Sequence, residues 1–313
     1  MKKYFILAAA ALALGACSND EGSNVANDGT INLTTEMRGG TRAIDQDIQA
    51  TQIANGKSVW VKFTTTTSAS SCDTWGSADS KTAPYTANGS GNLSTTSPVK
   101  WPSTTDQTGT VSIEAWAPFS ATPGATFSVQ ADQSTDDNYI ASDYLYGTAA
   151  AFGHTAIANP VLVKFDHMLA KINVNLFTTK ADIDLTGATV TFNGTQLTGA
   201  IQADGSVTTP SGGATNITMT SSLAKSGTDF TCSAIIIPQT ITASSTLPVE
   251  LFTITLAGGT TTKKYNLTVN KTYQAKNVYN YNITINDSET IVLSEQINPW
   301  ITDSSNNESV IAN

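Results

Sequence analysis

Residues 161–176 read Val161-Leu162-Val163-Lys164-Phe165-Asp166-His167-Met168-Leu169-Ala170-Lys171-Ile172-Asn173-Val174-Asn175-Leu176. Apolar residues fall at Val161, Val163, Phe165 and Leu169, then at Ile172, Val174 and Leu176. Period two is the signature of half-buried strands, because successive side chains leave a strand on opposite faces. The buried parity changes from odd to even between Leu169 and Ile172, as a β-bulge would produce. His167 continues the first apolar face, which predicts a hydrogen-bonded core histidine rather than a catalyst. Asp166 points to the other face, so the adjacent Asp-His pair is no natural dyad.

The same alternation recurs at Val59, Val61, Phe63, at Val111, Ile113, Ala115, and at Tyr279, Tyr281, Ile283, Ile285. These runs are rich in β-branched and aromatic residues, which fit a pleated surface. Turn chemistry is supplied by Asn55-Gly56, Asn193-Gly194, Asp204-Gly205, Gly212-Gly213 and Gly258-Gly259. There is no long helical period. The 313 residues suggest two domains. The expected fold is therefore all-β, with two β-sandwich domains in tandem. The Ala-rich stretch 149–160 ends in Asn159-Pro160 and places the boundary near 157–160. That gives an N-terminal domain over 43–158, with a first strand from 30–37, and a C-terminal domain over 159–313.

Composition narrows the function. Lys and Arg number 16 against 25 Asp and Glu, a formal net charge of -9. No basic surplus exists to neutralise phosphates, so nucleic acid is excluded as a partner. Lys2 and Lys3 precede a short apolar run, Phe5 to Leu14, and then Leu14-Gly15-Ala16-Cys17. This reads as a cleaved secretory signal over 1–16. Its last four residues resemble a bacterial lipobox, which implies a lipid on Cys17. Residues 18–29 are polar and read as a tether. Cys72 and Cys232 remain; they are expected as unpaired core thiols, with a long-range disulfide as the alternative.

Catalytic constellations are missing from the sequence. The two histidines, His154 and His167, cannot supply a zinc set. No phosphate-cradling Gly loop and no GxSxG elbow is present. No enzyme, metal or cofactor is expected. Asp132, Asp136 and Asp137 resemble a weak cation loop, but EF-hand spacing is absent and a solvated loop is the expected state. Of the five tryptophans, Trp101, Trp116 and Trp300 are expected to be buried. Trp75, in a polar stretch, is expected to be exposed.

Arginine is distributed unevenly: Arg38 and Arg42 are the only two in the chain. Both lie in the Gly-rich segment Met37-Arg38-Gly39-Gly40-Thr41-Arg42, expected to be extended and open to a protease. Just before it, Ile31, Leu33, Thr35 and Met37 alternate like the inner face of a strand. A cut here would leave a body that has lost its first strand, with a groove that another strand must fill. The C-terminal segment offers a donor through Ile291, Leu293, Ile297 and Trp300. Residues 288–313, fully extended, would reach about 85 Å. The alternative is that 288–300 pair within their own domain.

Several further pieces carry a family resemblance. They are Trp101-Pro102, Val111-Ser112-Ile113-Glu114-Ala115-Trp116-Ala117-Pro118, Asp143-Tyr144-Leu145-Tyr146-Gly147, residues 163–171, Ile235-Ile236-Ile237-Pro238-Gln239, and Ile297-Asn298-Pro299-Trp300. In this order the chain resembles the fimbrillin-like lipoproteins of Bacteroidales, subunits of type V pili. After Cys17, Ser18-Asn19-Asp20-Glu21 resembles the surface-export signal of lipoproteins from such bacteria. The resemblance implies two transthyretin-like sandwiches, lipoprotein export to the outer membrane, Arg-specific processing of an N-terminal strand, and donor-strand polymerisation into a fimbria. Processing maps to Arg38 or Arg42, and Arg42 is favoured because it removes the whole Gly-Gly segment. The implied partners are other fimbrial subunits, an Arg-specific protease, the outer membrane through the lipid, and host or bacterial surface glycans or proteins. The polar end Asp303 to Asn313 departs from a compact donor strand, so tip and stalk roles both stand. The competing reading is a monomeric lipid-anchored glycan-binding protein that keeps residues 18–42 and uses Trp75.

Overall fold

The computed structural model describes residues 28–300 apart from 39–51, 119–122, 209–211, 226–228, 257–258, 260 and 286–291. Cys17, Arg42 and Ile291 lie outside the described residues.

The first unit contains β1 (Leu33–Met37), β2 (Ser58–Thr65), β3 (Ser80–Ala87), β4 (Asn92–Ser94), β5 (Thr110–Ala117), β6 (Thr126–Ser128), helix α1 (Asp136–Ser142), β7 (Leu145–Gly153) and β8 (Val161–His167). Seven of these strands close a barrel in the order β1-β4-β3-β2-β5-β7-β8. Alternation supplies its filling: Val59, Val61, Phe63, Val111, Ile113, Ala115, Val163 and Phe165 are all within 1% of full burial. Each large apolar side chain buried this way stabilises by about 1.5–3 kcal/mol.

The second unit contains β9 (Ala170–Phe177), β10 (Thr189–Thr195), β11 (Thr198–Ala200), β12 (Thr215–Thr218), β13 (Thr220–Lys225), β14 (Asp229–Ile236), β15 (Gln239–Ile241), β16 (Val249–Thr255), β17 (Thr262–Leu267), β18 (Lys271–Tyr273), β19 (Asn277–Thr284) and β20 (Val292–Pro299). A four-stranded sheet, β12-β10-β16-β17, packs on a five-stranded sheet, β13-β14-β9-β19-β20. Phe252 of the first sheet meets Tyr281 of the second with ring centroids 5.0 Å apart.

The strands of the first unit close on themselves because β1 bridges β4 and β8. Three expectations are corrected here. Residues 161–167 belong to that barrel, so the units meet at Met168-Leu169 and not at 157–160. The Ala-rich stretch is strand β7 followed by a short 3₁₀ turn, His154–Ala158. The parity change after Leu169 is therefore a handover between two sheets, not a bulge. A bulge does occur at Asn193-Gly194, which was expected as a turn: register slips between Phe192 and Thr195, and Gly194 takes φ 75°.

The two units are stitched together. β6 of the first pairs with β11 of the second. The Gln133 side-chain amide bonds both the N–H and the C=O of Ile235, each at 2.8 Å. Trp116, Phe127, Val129, Tyr139 and Tyr144 of the first unit pack into the second unit's core.

Candidate functional site

The seat of β1 is built from three neighbours. β8 runs parallel to it from Leu33↔Val161 to Met37↔Phe165. β4 runs antiparallel, at Leu33↔Leu93 and Thr34↔Asn92. Before β1, the Ile31 N–H donates to Val99 O at 2.8 Å, and Lys100 pairs with Asp28 at 3.2 Å. Ile31, Leu33, Thr35 and Met37 point inward and are buried, at 5% exposure or less. The alternation read from the sequence is the strand's inner face.

Arg38 ends this strand, and it is held there. Its N–H donates to Phe165 O at 2.8 Å. Its guanidinium donates to Asp166 Oδ2 at 3.0 Å and to Thr148 Oγ1 at 3.2 Å. Asp166 Oδ2 also receives Lys276 Nζ at 3.3 Å. The Asp166 side chain is only 8% exposed, and its Oδ1 has no hydrogen-bond partner among the described residues. The Arg38 side chain is thus 42% exposed and at the same time tied to a nearly buried carboxylate. The acceptors of Arg38 come from β8 (Phe165, Asp166) and from β7 (Thr148).

At the other end of the chain, β20 is the edge of the five-stranded sheet. It pairs antiparallel with β19 from Asn277↔Pro299 to Thr284↔Val292. Residues 292–299 pair here within their own unit. Leu293 lies opposite Ile283, and Ile297, half-buried, lies opposite Tyr279. Glu295 pairs with Lys271 at 2.5 Å. Trp300 is buried at 9% exposure, and its ring stacks on His167 at 4.2 Å and 4°. His167 Nδ1 bonds Asp143 Oδ1 at 2.9 Å, both side chains buried. His167 is the core histidine expected, and three of the quoted motifs meet at it.

Other expected site residues fall elsewhere. Trp75 is 6% exposed, a correction: its Nε1–H donates to Lys100 O at 2.7 Å and its ring meets Phe63 edge-on at 6.4 Å. Trp101, Trp116 and Trp300 are buried as expected. Cys72 and Cys232 are buried thiols that take no part in a disulfide, and their Sγ atoms lie against the carbonyls of Ser68 and Val174. The acidic loop was read too loosely. Asp136 and Asp137 open α1 behind the Thr135 cap, where carboxylates favour the helix dipole, and Asp137 pairs with Lys57 at 2.9 Å. Among the described residues no group of three or more His, Cys, Asp or Glu is disposed to hold a metal.

The sequence profile of the fimbrillin-like family matches residues 41–300. The chain belongs to the fimbrillin-like family. The match begins just beyond β1 and spans the rest of both units. Among solved structures, a candidate cell adhesion protein from Bacteroides ovatus superposes with a TM-score of 0.61 at 16% identity, covering 88% of this chain and 98% of that one. Another from Bacteroides uniformis gives 0.58 at 19% identity, covering 87% and 98%. These share the fold. The tip fimbrial protein Mfa3 from Porphyromonas gingivalis, truncated at its C-terminus, gives 0.43 at 10% identity, covering 86% and 99%. No curated protein matches the sequence. Family membership supports a non-enzymatic fimbrial subunit that works with other subunits at the cell surface.

Proposed function

We propose that this fimbrillin-like chain is exported as a lipoprotein on Cys17, cut at Arg42, and joined to other subunits by strand exchange into the seat that β1 vacates. In this reading the two units correspond to the family's transthyretin-like domains, and residues 17–42 are a propeptide. The observation that carries it is the position of β1. It closes the barrel, it is short, it leads to the chain's only two arginines, and it pairs with β4 at two positions only. Its departure leaves β8 and β4 with unpaired backbone groups and an apolar groove, a state that an added strand satisfies. The grip on Arg38 by Phe165, Asp166 and Thr148 supports Arg42 as the cut.

β20 is the nearest donor segment in the chain, and using it for another subunit requires peeling it from β19. The glycan-binding alternative loses its supporting residue with the burial of Trp75. The test is the intact mass and N-terminus of protein sheared from native cells. The expected result is an unlipidated start at Ala43, and an Arg42→Ala variant that stays lipidated and unassembled. Assembled fibres that begin at a lipidated Cys17 would overturn the proposal.

A further inference from the structure

If β1 is replaced, its seat specifies the replacement. This rests on the strand-exchange reading above and goes on to name the partner. On the inner side, Ile31, Leu33, Thr35 and Met37 demand an alternating apolar run with one small polar position. On the outer side, Glu36 lies in register with Lys164, and Arg38 is ion-paired to Asp166. The seat therefore calls for a base at the position of Arg38, one residue past the apolar run.

Asp166 is the demanding part. Its carboxylate is nine-tenths buried, and one oxygen serves both Arg38 and Lys276 while the other has no partner among the described residues. When Arg38 leaves, the compensation that remains is Lys276, itself 36% exposed. A nearly buried carboxylate that loses a partner is strongly disfavoured, so a strand that returns a cation to this spot is selected.

The chain's own tail cannot do so. Residues 286–313 carry Asp287, Glu289, Glu295, Asp303 and Glu308 and contain no Lys, Arg or His. A second copy's tail would set a neutral or acidic residue against Asp166 in every register. We infer that the strand replacing β1 comes from a different protein, whose donor segment ends its apolar run with a basic residue facing Asp166. The chain is then an acceptor for a dissimilar subunit, and residues 286–313 of a second copy do not fill this seat.

The test uses the chain from residue 18, cut by an Arg-specific endoprotease, and three fluorescent peptides. They are residues 28–42, the same peptide with Arg38→Gln, and residues 286–313. Entry is followed by anisotropy as each displaces the resident strand. The native peptide is expected to enter, and the Arg38→Gln peptide to bind roughly ten- to a hundredfold more weakly, the worth of a charge-assisted contact. The tail peptide is expected to be weaker still. In an Asp166→Asn receiver the native and Arg38→Gln peptides should bind alike, which a merely structural role for Arg38 would not produce. Equal entry of native and Arg38→Gln peptides into the unmodified receiver, or entry of the tail peptide as well as the native one, overturns the inference and leaves strand exchange standing. Failure of even the native peptide to enter overturns strand exchange itself, and the inference with it.

Discussion

Leu33→Ala isolates what holds β1 in place. Leu33 is 2% exposed and lies opposite Val161 on β8 and Leu93 on β4. Truncating a leucine in such a site costs about 2–5 kcal/mol, depending on how far the walls collapse. In the intact chain this loss is spread over unfolding of the whole barrel. After an Arg-specific cut the situation changes. The chain has Arg only at 38 and 42, so the protease severs β1 from the body and cuts nowhere else. β1 is then retained by noncovalent contacts alone, and the whole deficit falls on its retention. Even 2 kcal/mol corresponds to roughly thirtyfold weaker binding. The assay is to nick both proteins, pass them through gel filtration, and quantify by mass spectrometry the N-terminal fragment that travels with the body. The parent should keep its fragment, and Leu33→Ala should shed it. Glu36→Gln, an exposed outward position, should behave like the parent. If nicked Leu33→Ala held its fragment as tightly as the parent, inward packing would not be what seats β1, and the groove argument would fail.

Three other outcomes are expected. A Cβ at Gly147 would lie 2.7–2.8 Å from three ring atoms of Phe165, so Gly147→Ala should destabilise by about 1–3 kcal/mol; Phe165→Leu should relieve part of it, and a denaturant double-mutant cycle with no coupling would refute the packing. Burial pushes Tyr85 up to about 12, and Tyr146 likewise to about 12 through burial and its bond to Glu114; their unfolded counterparts ionise near 10, so the stability they lend is intact below pH ~10 and lost as pH rises toward ~12, and melting curves across that window should show a smaller drop in Tyr85→Phe. Cys72 and Cys232 are buried and outside any disulfide, and burial pushes the Cys72 thiol up; both should resist a thiol reagent in the native protein and react once denaturant unfolds it, whereas prompt native reaction would contradict the burial.

Local pattern carried much of this structure. The inner face of β1 and the buried His167 follow from alternation, because period two is set within a few residues. What escaped depends on contacts far along the chain. Trp75 sits among Ser, Thr and Asp, yet its pocket is made by Phe63 and the Lys100 carbonyl. β8 was assigned to the wrong unit because an Ala-rich run looks like a linker, whereas pairing with β1 and β7 decides membership. The seven-residue α1 is too short to show a period, although Thr135 followed by Asp136-Asp137 was a legible start signal. The Arg38–Asp166–Lys276 cluster joins residues 128 and 110 positions apart, and no spacing rule reaches that far.

The adjacent pair Asp166-His167, dismissed as a dyad because neighbours on a strand face opposite ways, draws its structural meaning from that same opposition. Asp166 leaves β8 on one side and holds Arg38, the residue that follows β1. His167 leaves on the other side and stacks on Trp300, the residue at which β20 ends. Lys276 ties the two sides together, since its ammonium reaches Asp166 and its carbonyl accepts the Trp300 N–H at 2.6 Å. One end of β8 thus grips both the strand proposed to leave and the segment nearest to a donor. Each grip is made at the boundary between the units, where Lys276 N–H also bonds Leu169 O at 2.7 Å. A strand that failed to restore the cation at Asp166 would disturb the residue next to the one that seats Trp300. A single peptide unit separates the two side chains, so both grips rest on the same stretch of β8 backbone.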